Sequence, residues 1–273
     1  MKIFVSADIE GVTGATSWNE ADKAHAEYPE LREQMTAEVA AACEGALAAG
    51  ATEIVVKDGH WTGRNLIAAK LPREVRLIRS WTHDPYIMMA GLDRTFQAAL
   101  MTGYHSRAGS DTSPLAHTIT GRVASLKIND RYASEFLINA YTAGLLRVPV
   151  IFLSGDAGIC EDASDFLPGL ATVAVMEGIG EATSSIHPAV AIERIRSGVG
   201  AALKGDIDRC RVPIPPVFVV EVRFRSHANA REASYFPGAR LAESYVVQFE
   251  AADYFDVLRF FMFGIGMTGT QMS

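Results

Sequence analysis

The chain has 273 residues, and 25 Lys plus Arg against 32 Asp plus Glu give it a formal net charge of −7. That acidity excludes a general binder of nucleic acid or other polyanions, which must neutralise phosphates with Lys and Arg. Hydrophobic residues at 49% and charged residues at 21% are those of an ordinary folded chain with a sizeable core, and the length suits one large α/β domain or two smaller ones.

The amino terminus carries one Lys and the short apolar run Ile3-Phe4-Val5 before Asp8 and Glu10, too little for the apolar core of a secretion signal. Cys43, Cys160 and Cys210 lie far apart and form no CxxC pair, so neither a disulfide framework nor a thiolate metal site is expected, and the expected compartment is the reducing cytoplasm. The most apolar stretch, 260–267, is much shorter than the ~20 residues that span a bilayer and reads as a buried or interface helix.

Taken in chain order, runs rich in Val, Ile and Phe alternate with helically spaced segments. Residues 2–7 read as a first buried strand. Residues 28–50 form a long helix with Met35, Val39, Ala42, Ala46 and Ala49 on one face and Gly50 as its stop. Residues 53–57 are a second strand ending at Asp58-Gly59-His60. Strands follow at 76–79, 98–104, 149–154 and 171–176, with helices between them. The alternation breaks at 117–127 and 128–132, which read as extended or hairpin structure, before a helix over 134–145. Another helix covers 190–203, and Pro213, Pro215 and Pro216 mark a connector. Beyond it, 217–224 and 244–251 are strand-like and 254–264 helix-like. The expected fold is α/β, a mostly parallel sheet flanked by helices. Residues 1–212 form a catalytic portion. Residues 213–273 form a smaller α/β portion, separate or part of the same domain, that contributes to an oligomer interface.

Chemistry-bearing residues collect at strand ends. Asp8 and Glu10 follow the first strand, His60 the second, and His105 the strand over 98–104; Glu135 opens the next helix and His117 lies nearby. In an open parallel sheet the carboxyl ends of the strands face one crevice, where ligands bind. Taken singly, each has a structural explanation: a turn acid, a cap, a solvated turn or a helix-dipole acid. Together they offer carboxylate oxygens and neutral imidazoles suited to Zn²⁺, Mn²⁺ or a similar ion. Five ligands exceed what one catalytic zinc takes, and two ions bridged by Asp8 give each three protein ligands. His25, His83, His187 and His227 follow no buried strand in this way and read as structural. The run Asp8-Ile9-Glu10-Gly11 also approaches the Asp-x-Asp-Gly loop of haloacid-dehalogenase-type phosphatases, with Glu10 in place of the second Asp. Gly11-Val12-Thr13-Gly14 does not suit a dinucleotide turn, because Asp8 and Glu10 repel a pyrophosphate. Ser154-Gly155-Asp156 reads as a turn rather than a nucleophile setting.

Asp8-Ile9-Glu10-Gly11, Asp58-Gly59-His60, Gly103-Tyr104-His105-Ser106-Arg107, Ala116-His117 and Ile128-Asn129-Asp130-Arg131 followed by Glu135 resemble, in order, the motifs of the DppA-type dinuclear zinc D-aminopeptidases, peptidase family M55. The resemblance extends through Asn139-Ala140-Tyr141 and Ser154-Gly155-Asp156, and more weakly through Phe236-Pro237-Gly238 and Val247-Gln248-Phe249. It implies two Zn²⁺ per chain, with Asp8 bridging, Glu10 and His105 completing one site, and His60 and Glu135 the other. His117 matches the family's proposed catalytic histidine, either as proton carrier or as direct nucleophile. Gly59, Ser134 and Thr118 stand where the family pattern has Ser, Gly and Ser, which leaves the ligands intact and bears on pocket shape. A ring-based homodecamer acting on small peptides, with no nucleic-acid or membrane partner, is also implied. The leading expectation is therefore an aminopeptidase for short peptides or aminoacyl amides, such as D-Ala-D-Ala. A small-molecule amidase is its nearest rival, with a metal-dependent phosphatase or a non-catalytic metal-binding scaffold behind.

Overall fold

The computed structural model describes residues 1–266. In chain order the elements are β1 (Lys2–Ala7), α1 (Trp18–Ala21), α2 (Tyr28–Ala48), β2 (Glu53–Asp58), β3 (Val75–Ile78), β4 (Ala98–Tyr104), β5 (Val123–Ile128), β6 (Arg131–Tyr132), α3 (Glu135–Leu145), β7 (Val150–Asp156), α4 (Ala157–Phe166), β8 (Ala171–Ile179), β9 (Ala182–Ser185), α5 (Pro188–Lys204), β10 (Phe218–Phe224), α6 (His227–Ala233), β11 (Ala239–Glu243), β12 (Val246–Ala251) and α7 (Tyr254–Arg259).

A seven-stranded sheet runs β3-β2-β1-β4-β7-β8-β9 and is parallel except for β9. β4 and β7 are buried along their whole length and β1 and β2 all but their first residue, as continuous apolar runs dictate for strands covered on both faces. This is the expected α/β class. From β1 the chain crosses to β2 and β3 in one direction; from β4 it crosses to β7 and β8 in the other. Right-handed crossovers in opposite directions put α2 on one face and α3 and α4 on the other. α5 returns beside α2, where Arg196 pairs with Glu44 at 2.6 Å. The reversal between β1 and β4 opens the crevice at their carboxyl ends.

A second, antiparallel sheet is ordered β11-β12-β10-β5-β6. Residues after the proline connector thus complete a sheet begun by β5 and β6. It packs on α3: Tyr141 meets Phe218 and Tyr254 with ring centroids 5.4 Å apart in each case, and Tyr254 donates to the Ile138 carbonyl at 2.8 Å.

Two local expectations differ. Residues 117–122 are a loop, not strand: Ile119 has φ +68 and the Thr120 amide folds back on the Thr118 carbonyl at 2.7 Å. The helix over 254–264 becomes π-helical from Phe260 to Gly264, where Phe260 stacks on Phe249 at 4.8 Å. Phe260, Phe261 and Met262 of the apolar stretch are buried while Phe263 is 61% exposed; Met267 lies outside the described residues. The elements α1, β9, α6 and β11 have no counterpart in the sequence reading, because they are short and carry no apolar run. Among the described residues no helix is long and apolar enough to cross a membrane.

The turn after β1 is pressed against the end of β4. Asp8 donates its amide to the Thr102 carbonyl and Gly11 donates to the Gly103 carbonyl, both at 2.9 Å. A Cβ at Gly11 would lie 1.7 Å from the Tyr104 carbonyl oxygen, and Gly103 (φ +69) faces the Asp8 carbonyl so closely that its Cβ would lie 2.2 Å away. This contact sets the distance between the acids after β1 and His105 after β4. Gly11→Ala is accordingly expected to destabilise by about 3 kcal/mol, the upper end for overpacking, because the atoms met are main chain of a buried strand. A lower urea midpoint at an unchanged m-value checks this.

Candidate metal centre

Each site residue is fixed by its own local structure. Asp8 accepts the Ile9 amide at 3.0 Å and Glu10 sits in the turn held by Gly11. The His60 loop is tied by Asp58, which accepts from Asn65 and Leu66 amides at 2.6 and 2.8 Å, while Asn65 Nδ2 donates to the His60 carbonyl at 2.7 Å. Behind His105, Ser106 donates its amide and hydroxyl to Asp156 at 2.6 and 2.5 Å, and Asp156 also caps α4. Ser154-Gly155-Asp156 is thus the buried end of β7 and not the expected turn, because it continues the pairing with β8, and it supports the site from behind. Glu135 is the first residue of α3, whose N-cap Ser134 accepts the Leu137 amide at 3.3 Å. Thr118 joins the His117 loop to the same helix start, donating to the Ala133 carbonyl at 2.9 Å. Next to it the Ile119 amide donates to Glu135 Oε1 at 2.7 Å.

All six side chains meet. His60 Nδ1 lies 3.5 Å from Asp8 and 3.0 Å from Glu10; His105 Nε2 lies 3.6 Å from Asp8 and 3.7 Å from Glu135. His117 Nε2 lies 3.9 Å from Glu10 and 3.5 Å from Glu135, and its ring stacks on His105 with centroids 4.2 Å apart. Three sets of ligand atoms lie within 4.8 Å of one another: Asp8, Glu10 and His60; Asp8, His105 and Glu135; and Glu10, His105 and His117. Asp8 is common to the first two. In the two sets that share Asp8, Glu10 lies with His60 and Glu135 with His105, because β2 delivers His60 beside the turn after β1 while α3 starts next to the end of β4; the third set joins Glu10 to His105, the pairing that the family resemblance implies.

The imidazoles are oriented for ligation. His60 Nε2 bonds the Ala21 carbonyl at 2.9 Å, His105 Nδ1 the Ser106 carbonyl at 3.0 Å, and His117 Nδ1 the Leu115 carbonyl at 2.9 Å. A carbonyl oxygen only accepts, so the bonded nitrogen carries the hydrogen and the other turns its lone pair toward the carboxylates. Consistent with this, Glu10 Oε2 and His105 Nε2 are buried without a hydrogen-bond partner. Lone pairs facing carboxylates repel unless a cation lies between them, and N and O donors with no thiolate fit a divalent ion of the zinc type.

Without an ion, protons take the cation's place. Burial disfavours a charged His60, yet the Glu10 charge, hydrogen bonding to Asp8 and Glu10 and the Asp8 charge together outweigh it and raise the imidazole well above its usual range. Burial likewise opposes charge on His105, and Glu135 raises it to about 10. Asp8 is raised well above the carboxylate range by burial and then by the Glu10 charge. Glu10 is held well below that range because His60 outweighs burial, and His105 does the same for Glu135, at about 2. His117 is lowered, by burial and then by the His105 charge, which keeps its ring neutral.

Asp8, Glu10, His60, His117 and Glu135 border a cleft of about 460 Å³, with His105 buried behind them, and Trp18, Trp61, Trp81, Asp22, His25, His83 and Asp84 also line it. The sequence gives no reason to place His25 and His83 there, since neither follows a buried strand. The tryptophans carried no signal either, although three Trp in a chain of this size, each beside a turn, are the one trace that was available.

The profile of the M55 peptidase family, described as D-aminopeptidase, matches residues 1–263. A D-aminopeptidase of Bacillus subtilis (strain 168) is 34% identical over 256 residues, which are 93% of this chain and 92% of that protein. Among solved structures, the Zn-dependent D-aminopeptidase DppA from Bacillus subtilis, described as a self-compartmentalizing protease, superposes with a TM-score of 0.92 at 31% identity, covering 100% of this chain and 98% of that one. A profile match over almost the whole sequence, joined to a fold that agrees from end to end, shows that the chain belongs to the M55 peptidases, the D-aminopeptidase family.

Proposed function

We propose that the protein is a zinc-dependent aminopeptidase that releases the first residue of short D-amino-acid peptides or aminoacyl amides. It holds two Zn²⁺ per chain through Asp8, Glu10, His60, His105 and Glu135. The observation that carries this reading is the pair of ligand sets that share Asp8. Zinc bound there supplies a Lewis acid for the scissile carbonyl and favours deprotonation of water near neutral pH. The chain's own contribution centres on His117. Its Nδ1 is committed to the Leu115 carbonyl, and its ring is held between His105 and the edge of Trp18, the latter with centroids 5.0 Å apart. Only Nε2 is left for chemistry, where it takes a proton from the attacking water and returns it to the departing amine. Glu135 is kept from turning by the Ile119 amide. A phosphate ester fits the cleft less well: no Lys or Arg is among its described lining residues, and Asp22 and Asp84 oppose a dianion.

The relative described as self-compartmentalizing supports a closed homo-oligomer here too, which we take to be a ring-based decamer. Light scattering should then report about ten times the 29.5 kDa chain mass; a monomer at micromolar concentration contradicts it. Asp8→Ala is expected to lose more zinc than any other single ligand variant, since one residue serves both sites, and elemental analysis after desalting reads this out. Full zinc content in that variant removes the bridge. His117→Ala should keep both zinc ions while kcat on a D-aminoacyl amide falls by about 10²–10⁴, the range for lost proton transfer. Zinc loss from His117→Ala instead moves the residue into the ligand set.

A further inference from the structure

The chain has three tryptophans, and all of them line the cleft that Asp8, Glu10, His60, His117 and Glu135 border. Trp18 meets the edge of His117, and Trp61 meets His60 with centroids 6.2 Å apart. Trp18 and Trp61 are 45% and 39% exposed, so much of two large apolar rings faces the cleft rather than the core, where burial would stabilise the fold.

The fold holds these rings in place at a cost. Trp61 has φ +38, a left-handed conformation that is a genuine outlier for a bulky side chain and persists only when its surroundings enforce it. The enforcing contacts are visible. Trp81 Nε1 donates to the Trp61 carbonyl at 2.6 Å. Under Trp81, fully buried Lys57 places Nζ 4.4 Å from the ring centroid and donates to the Ser80 carbonyl at 3.0 Å. Trp18 sits on a short helix closed by a capping box, in which Glu20 accepts the Ser17 amide at 2.8 Å, and the same helix supplies the carbonyl that orients His60. Strain, a buried ammonium and a capping box all serve to present indole surface beside the reacting centre.

We infer that Trp18, Trp61 and Trp81 form the wall of the subsite for the substrate's amino-terminal side chain and select an aromatic or large aliphatic residue over alanine, with Asp22 and Asp84 in the same cleft attracting its ammonium. The chemistry at this subsite rests on the aminopeptidase reading above. A cleft of about 460 Å³ is in the range that encloses an entire small ligand, far more than a methyl group needs. Stacking on indole also rewards a ring and, through the π face, a neighbouring ammonium.

Because every tryptophan borders the cleft, intrinsic fluorescence reports its occupancy directly. The zinc-loaded protein is titrated with D-phenylalaninol and D-alaninol, which keep the ammonium and side chain but have no amide to cleave. Half-saturation by D-phenylalaninol is expected at a concentration at least about tenfold lower, equivalent to about 1.4 kcal/mol. In parallel, kcat/KM for D-phenylalaninamide should exceed that for D-alaninamide by a similar factor. Trp61→Ala and Trp18→Ala, each checked for folding by circular dichroism, should shrink both ratios below about threefold, with the loss for the phenylalanine substrate carried by KM. Equal half-saturation in the wild type, or ratios unchanged in both variants, overturns the inference. If the alcohols show the expected preference but neither amide is cleaved, the subsite stands and the hydrolase reading falls. If the amides are cleaved equally and the alcohols bind equally, the hydrolase reading stands and the subsite falls.

Discussion

Three carboxylates and three imidazoles share one buried volume, and the rest of the molecule is arranged around keeping them there. Carboxylates removed from water and set beside lone pairs are unstable unless a cation compensates them. A flexible site would relieve the conflict by turning a side chain outward. Here each imidazole is tied at its far nitrogen to a main-chain carbonyl, from Ala21, Ser106 and Leu115, and Glu135 is held by the Ile119 amide. The unfavourable juxtaposition therefore persists as binding capacity, because a divalent ion releases both the repulsion and the protons that stand in for it.

A second set of buried polar groups does no chemistry but holds the first in register. Asp58 and Asp156 end β2 and β7 and spend their oxygens on the loops carrying His60 and His105. Behind them the Tyr104 hydroxyl joins Ser6 and Asn139 at 2.7 and 2.8 Å, linking β1, β4 and α3. The close contact of Gly11 with the end of β4 belongs to the same framework. Rigid strand ends thus fix the clustered carboxylates and imidazoles, and buried hydrogen bonds prevent small rotations that would separate them.

Much of this was legible in the sequence, for an identifiable reason. The central strands of the parallel sheet carry short apolar runs bounded by polar turns, so 2–7 and 98–104 coincide with β1 and β4. Once the strands are placed, Asp8, Glu10, His60 and His105 fall on one edge by topology alone. Glu135 needed more, since nothing in its own neighbourhood separates a site acid from a helix-dipole acid; only the return of α3 to the end of β4 brings it to His105 and His117. The three overlapping sets into which these side chains fall were not legible, because they depend on which strand neighbours which turn. Nor was the loop around His117, where the left-handed Ile119 interrupts what reads as continuous strand, nor the cleft wall, whose residues sit on short elements without periodicity.

That division has a consequence for how such a site can vary. The ligands ride on strand ends and a helix start, locked by the core, whereas Trp18, Trp61 and Trp81 ride on a four-residue helix and two loops with left-handed residues at Trp61, Ser80 and His83. Ser134 and Thr118 belong to the framework, since Ser134 caps α3 and Thr118 bonds the Ala133 carbonyl, while Gly59 borders the cleft and a Cβ there would lie 3.0 Å from the Ala7 carbonyl oxygen. Changes there alter support of the ligands, and changes in the tryptophan loops alter what the cleft admits. Because the two sets share few hydrogen bonds, apart from the helix that both carries Trp18 and orients His60, the substrate range of this scaffold is free to shift while the buried carboxylates and imidazoles stay where the sheet puts them.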